Sequence, residues 1–134
     1  MNLMFDDVAE FHREVLKLAD AKGVTLISDV FVIERFRFMT EELEEFLDSA
    51  LKGDMVGTAD AIADLIYVAL GTAHRMGLPF QKIWDHVHRA NMKKVLGETK
   101  RGNKIDARKP AGWVPPEAGI AAILLEAIDE QTDP

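Results

Sequence analysis

Residues 54–76, DMVGTADAIADLIYVALGTAHRM, decide the fold. Between Met55 and Ala73 the only charged residues are Asp60 and Asp64; the rest are apolar, Gly, Thr or Tyr67. So apolar a segment predicts a helix buried over most of its surface, capped by Asp54 and stopped by Gly77. The two aspartates are one turn apart, about 40° around the axis, and project in the same direction. A carboxylate taken out of water needs a counter-charge or stays protonated. That requirement is met by Arg, by Lys or by a divalent cation. Arg35, Arg37 and Arg75 are available for the alternative, a pair of structural salt bridges.

The segment before it predicts a helix from Ser28 or Asp29 to Lys52, ended by Gly53. Phe36, Met39, Leu43, Phe46, Leu47 and Ala50 form one apolar stripe on it. Glu34, Glu41, Glu45 and Asp48 fall opposite, with Glu42 at the margin. Taken alone, this EE-x-EE run reads as a solvated acidic face. Phe31 and Phe38 project from the same side, however, so that side is expected to pack against another helix or a second subunit. With the two helices side by side, Glu41, Glu42, Glu45, Asp60 and Asp64 converge. An all-oxygen donor set without His or Cys selects a hard cation, Mg²⁺ or Mn²⁺.

Outward from this pair, a first helix is expected over residues 5–22, from the spacing of Val8, Phe11, Val15, Leu18 and Ala19. Residues 24–27 read as an extended linker. A fourth helix is expected from Pro79 to about Val95, a basic loop over about 97–116, and a last helix over 117–129. The fold class is all-α, an antiparallel bundle of about five helices in a single domain, residues 1–134. There are no cysteines among the 134 residues, which excludes disulfides and thiolate metal sites. A net charge of −7 argues against nucleic acid as a partner. The sign is uneven: residues 34–64 are acidic, while Arg89, Lys93, Lys94, Lys100, Arg101, Lys104, Arg108 and Lys109 make a basic segment. No run approaches the roughly 20 apolar residues of a membrane span, and the start does not read as a signal peptide. A cytoplasmic protein with no membrane partner is expected. His12 and His74 offer no constellation.

Three segments in order resemble the all-α nucleotide pyrophosphohydrolases, which include MazG, phosphoribosyl-ATP pyrophosphohydrolase and the dimeric dUTPases. Glu41, Glu42 and Glu45 match the E-E-x-x-E of the first metal helix; Asp64 in Ala63-Asp64-Leu65-Ile66-Tyr67 matches the end of E-x-x-D on the second. His88-Arg89-Ala90-Asn91-Met92-Lys93-Lys94 and Lys109-Pro110-Ala111-Gly112-Trp113 resemble segments of MazG-like proteins close to bacterial dUTP diphosphatases. One position departs from the pattern: Ala61 stands where the family has its first acidic residue on the second helix, with Asp60 beside it.

The resemblance implies hydrolysis of a nucleoside triphosphate, best matched by dUTP, to monophosphate and pyrophosphate. It implies Mg²⁺ (or Mn²⁺) held by Glu42, Glu45 and Asp64, with Asp60 auxiliary and Glu41 as general base or second-ion ligand. Asn91, Lys93, Lys94 and His88 are the implied substrate contacts, and a homodimer or dimer of dimers the implied assembly. Two other readings stand beside it: a non-catalytic helical dimerisation module, which Ala61 favours, and hydrolysis of phosphoribosyl-ATP.

Overall fold

The computed structural model describes residues 3–98, 102 and 106–132. It is all-α apart from one small hairpin: α1 (Leu3–Glu14), α2 (Asp29–Leu51), α3 (Met55–Arg75), α4 (Phe80–Met92), β1 (Val95–Gly97), β2 (Asp106–Arg108) and α5 (Glu117–Thr132). The chain divides into two compact units, Met1–Leu78 and Pro79–Pro134.

In the first unit α2 and α3 form a helical hairpin around Gly53, whose φ of 73° suits glycine alone at no strain. As expected, Asp54 caps α3, its Oδ1 accepting from the Gly57 N–H at 3.0 Å. The hydrogen bonds and contacts fix the register. Arg35 reaches Val68 and Thr72, Glu42 faces Asp64 and Asp60, and Ser49 lies against Gly57. Numbers rise along one helix as they fall along the other, so the pair is antiparallel. This register puts Glu42 on the α3-facing side of α2, in line with Arg35 and Ser49, rather than at a margin. Phe31 and Phe38 share that side, each under a guanidinium: Arg75 at 5.9 Å and Arg35 at 5.6 Å.

The burial expected of α3 is not met within the chain. Ala61, Leu70, Gly71 and Ala73 are its buried residues, while Met55, Val56, Ile62 and Ile66 stay exposed. On α2 the apolar stripe points away from α3: Phe36 is 67% and Leu47 57% exposed. Nor is α3 too short or polar to qualify as a span; by length and composition it could cross a membrane. It carries Asp60 and Asp64 and packs between α1 and the acid-rich α2.

Helix α1 stops at Glu14, well before the expected Lys22. Leu16 N–H bonds five residues back to Phe11 O at 3.2 Å, and Lys17 turns the chain with a φ of 56°. The turn brings Asp20 within 3.3 Å of Arg13 and 3.7 Å of His74. In a continued helix Asp20 would sit about 10 Å beyond Arg13. The linker then runs beside the end of α3, with Thr25 N–H donating to Met76 O at 3.0 Å. Gly77 (φ 65°) lets the chains meet there, since a Cβ would collide with the Gly23 carbonyl.

The core between α1 and α3 is built on Val8 (1% exposed), Ala9 and, unexpectedly, His12 (3% exposed). His12 packs edge-on to His74, ring centroids 5.2 Å apart, and to Phe11. Gly71 makes room for this: a Cβ there would stand 2.5 Å from the Arg35 guanidinium and 2.9 Å from His12 Nε2. Arg35 from α2 and His12 from α1 thus meet over α3 only because residue 71 has no side chain.

In the second unit α4 ends at Met92, and residues 95–97 join a strand pair instead of extending the helix. The hairpin is antiparallel with Val95 opposite Arg108. The expected loop over 97–116 therefore contains β2. Lys100, Arg101 and Lys104 of the basic segment lie outside the described residues. Gly119 of α5 faces the His86 ring of α4 so closely that a Cβ would overlap it.

Candidate active site

The carboxylates gather on the α2–α3 hairpin. Glu42 is the half-buried centre: its Oε2 is shielded from solvent and has no hydrogen-bond partner. Burial first, then the charges of Glu45 and Asp64, a hydrogen bond with Glu45 and the charge of Asp60, hold the Glu42 carboxyl above the usual carboxylate range. Asp64 is half-buried, and Glu41, Glu45 and Asp60 are exposed. Helix geometry explains the grouping: Glu42 and Glu45 are one turn apart on α2, as are Asp60 and Asp64 on α3.

The salt-bridge alternative does not hold. Among the described residues no ion pair includes Asp60 or Asp64. Arg35 spends its donors elsewhere, Nε–H on Thr72 Oγ1 at 3.0 Å and a terminal N–H on Val68 O at 2.9 Å. A set of carboxylates, one with a buried and unpartnered oxygen, and no protein cation among them has the donor chemistry of a hard divalent ion. As the side chains stand, no three His, Asp or Glu residues among those described are close enough together to hold an ion. The helices supply the positions, and side-chain rotation would supply the closure. Ala61 is 1% exposed and lies on the α2-facing side of α3. A longer acidic side chain there would enter the cluster directly; Asp60 approaches it from the solvent side.

The remaining candidates belong to the second unit. His88, Asn91 and Lys93 are exposed at the end of α4, and Lys94 is half-buried. The carbonyl of Asn91 accepts from the Lys94 N–H at 3.0 Å, closing the helix. Trp113 seals this end: its Nε1–H donates to Ala90 O at 2.7 Å.

Sequence reasoning missed the Arg35–Gly71–His12–His74 cluster. The available signal was His12 itself, one turn beyond Val8 on the apolar face of α1.

Against known families, residues 8–91 match the phosphoribosyl-ATP pyrophosphohydrolase family. Nothing among curated proteins matches the chain. The matched residues span α2 and α3 with every carboxylate of the cluster, and amount to well over half of the 134 residues. The chain belongs to the phosphoribosyl-ATP pyrophosphohydrolase family, and with it to the all-α nucleotide pyrophosphohydrolases.

Proposed function

We propose that this pyrophosphohydrolase acts on a nucleotide bearing a triphosphate, splitting it between the α and β phosphates to leave a monophosphate and pyrophosphate. The observation that carries the reading is Glu42, with a buried, unpartnered oxygen amid Glu45, Asp64 and Asp60. The family is metal-dependent, and these oxygen donors suit Mg²⁺ or Mn²⁺. Glu42, Glu45 and Asp64 would hold the ion, with Asp60 auxiliary. When bound, the ion supplies charge neutralisation of the phosphates and a water of lowered pKa. Glu41, exposed on α2 one residue before Glu42, takes the proton from the attacking water or serves a further ion. Asn91 contacts the base, and Lys93, Lys94 and His88 contact the phosphate side. In this reading residues 1–134 are a single pyrophosphohydrolase domain of a cytoplasmic protein.

Two substrates have comparable support. The segment from His88 to Lys94 and the Gly112-Trp113 segment resemble dUTP diphosphatases, whereas the family match favours phosphoribosyl-ATP. Pyrophosphate release measured with Mg²⁺ on dUTP, the other nucleoside triphosphates and phosphoribosyl-ATP separates them by kcat/KM. Release from none of these by folded protein would turn the reading towards the non-catalytic module.

The uncovered stripe on α2 (Phe36, Leu43, Leu47, Leu51), with Met55, Val56, Ile62 and Ile66 on α3, supports assembly as a homodimer or dimer of dimers. Light scattering at micromolar concentration is expected to give at least twice the chain's 15.0 kDa. A monomer mass excludes the assembly.

A further inference from the structure

A second charged constellation lies in the C-terminal unit, beyond residues 8–91 that match the family. The hairpin register pairs Val95 with Arg108, and Lys94 and Lys109 are the residues just outside that pair. Like charges brought this near repel. Both ammoniums also approach one ring, lying 5.1 Å and 5.2 Å from the Trp113 centroid, which leaves them at most about 10 Å apart. That is roughly the distance over which salt screens charge at 0.1 M. Among the described residues neither lysine is in an ion pair, and Lys93 and Arg108 beside them in sequence add to the positive field. The ring face offsets part of the repulsion.

Trp113 is held at both of its N–H groups. Its indole N–H is held by Ala90 O at 2.7 Å, and its backbone N–H by Pro110 O at 3.0 Å across the turn at Gly112 (φ 77°). The arrangement is a hydrogen-bonded ring with two ammoniums beside it, in a chain whose net charge is −7. An anion with charge spread over two adjacent groups engages both lysines and removes their mutual repulsion. A phosphoanhydride has that form.

We propose that Lys94 and Lys109, presented on the Trp113 ring, form a clamp for a pyrophosphate group. The proposal rests on the function argued above for the identity of the anion, and Lys109 and Trp113 are its new members. Trp113 acts as the positioning residue.

The test is calorimetric titration of inorganic pyrophosphate into the full chain, without divalent metal and at 0.15 M salt. Lys109→Gln and Lys94→Gln are each expected to weaken binding about tenfold, the loss of one charge-assisted contact. Lys82→Gln, which removes an exposed charge of α4 away from the ring, is expected to leave it unchanged. In a Trp84→Phe background, pyrophosphate is expected to shift Trp113 emission saturably, and sulfate at equal ionic strength is not. No binding of pyrophosphate by the native chain overturns the clamp. So does equal weakening by Lys82→Gln, or an equal response to sulfate. Because binding is read without turnover, the two failures are distinct. Normal hydrolysis with unchanged affinity in Lys109→Gln removes the clamp alone, whereas clamp behaviour without hydrolysis removes the enzymatic reading alone.

Discussion

Asp64→Asn is expected to lower pyrophosphate release at least about 100-fold while raising the melting temperature of the metal-free protein by roughly 1–3 °C. The two effects share one cause. Without a cation, Asp64 is among the charges that push the Glu42 carboxyl above its usual range, and relieving one such repulsion recovers a few tenths of a kcal/mol. A carboxyl raised on folding binds its proton more tightly in the native state. Its penalty therefore appears as pH rises above the unfolded value, and is present at neutral pH. The asparagine removes that penalty and with it the proposed metal ligand, so added Mg²⁺ should stabilise the native protein more than the variant. A structural Asp64 would show the opposite: the substitution would lower the melting temperature with or without metal. Melting curves with and without Mg²⁺, beside an activity assay, distinguish the two.

Arg35→Ala is expected to cost about 2–3 kcal/mol of stability, read as a lower urea midpoint. The guanidinium ties α2 to α3 through Thr72 and the Val68 carbonyl, and lies over the gap left by Gly71. Arg35→Lys should recover less than half, since a single ammonium cannot reproduce the forked geometry. The same cluster sets an acid limit. Burial, followed by the charges of His74, Arg35 and Arg75, lowers the His12 pKa from 6.5 to about 4. The unfolded chain then takes up a proton near 6.5 that the folded chain refuses until near 4, so stability falls as pH falls through this window. The loss from His12 accumulates between pH 6.5 and 4 and is complete below that window. Arg35→Ala should make this slope shallower by removing one of the opposing charges. A variant as stable as the native protein, with the same pH slope, would show that Arg35 is not part of the core.

What was legible in the sequence was local. Gly53, Asp54 and Gly77 marked the bounds of α2 and α3 because each acts within a turn of its own position. Helical spacing left Glu42 at the margin of the acidic face; its place opposite Asp64 comes from the register of α2 on α3. What was not legible depended on distant partners. Helix α1 ends early because Asp20 returns to Arg13 and His74, which no periodicity in residues 5–22 reveals. His12 reads as an isolated histidine until Gly71 and Arg35 are brought against it. The strand pair is only three residues long on each side, too short to stand out from a segment rich in Gly, Lys and Arg. The apolarity of α3 and of the α2 stripe was read as burial, but within one chain much of that surface remains uncovered.

In the proposed function, carboxylates of α2 and α3 direct metal-dependent cleavage between the α and β phosphates. Phosphorus NMR of the products formed from dUTP and from phosphoribosyl-ATP in Mg²⁺ tests it most directly, with the native protein beside Asp64→Asn. Pyrophosphate and the corresponding monophosphate are expected from at least one of the two, dependent on Mg²⁺ and lost in the variant. Orthophosphate with a diphosphate product, or equal pyrophosphate release by Asp64→Asn, would contradict it.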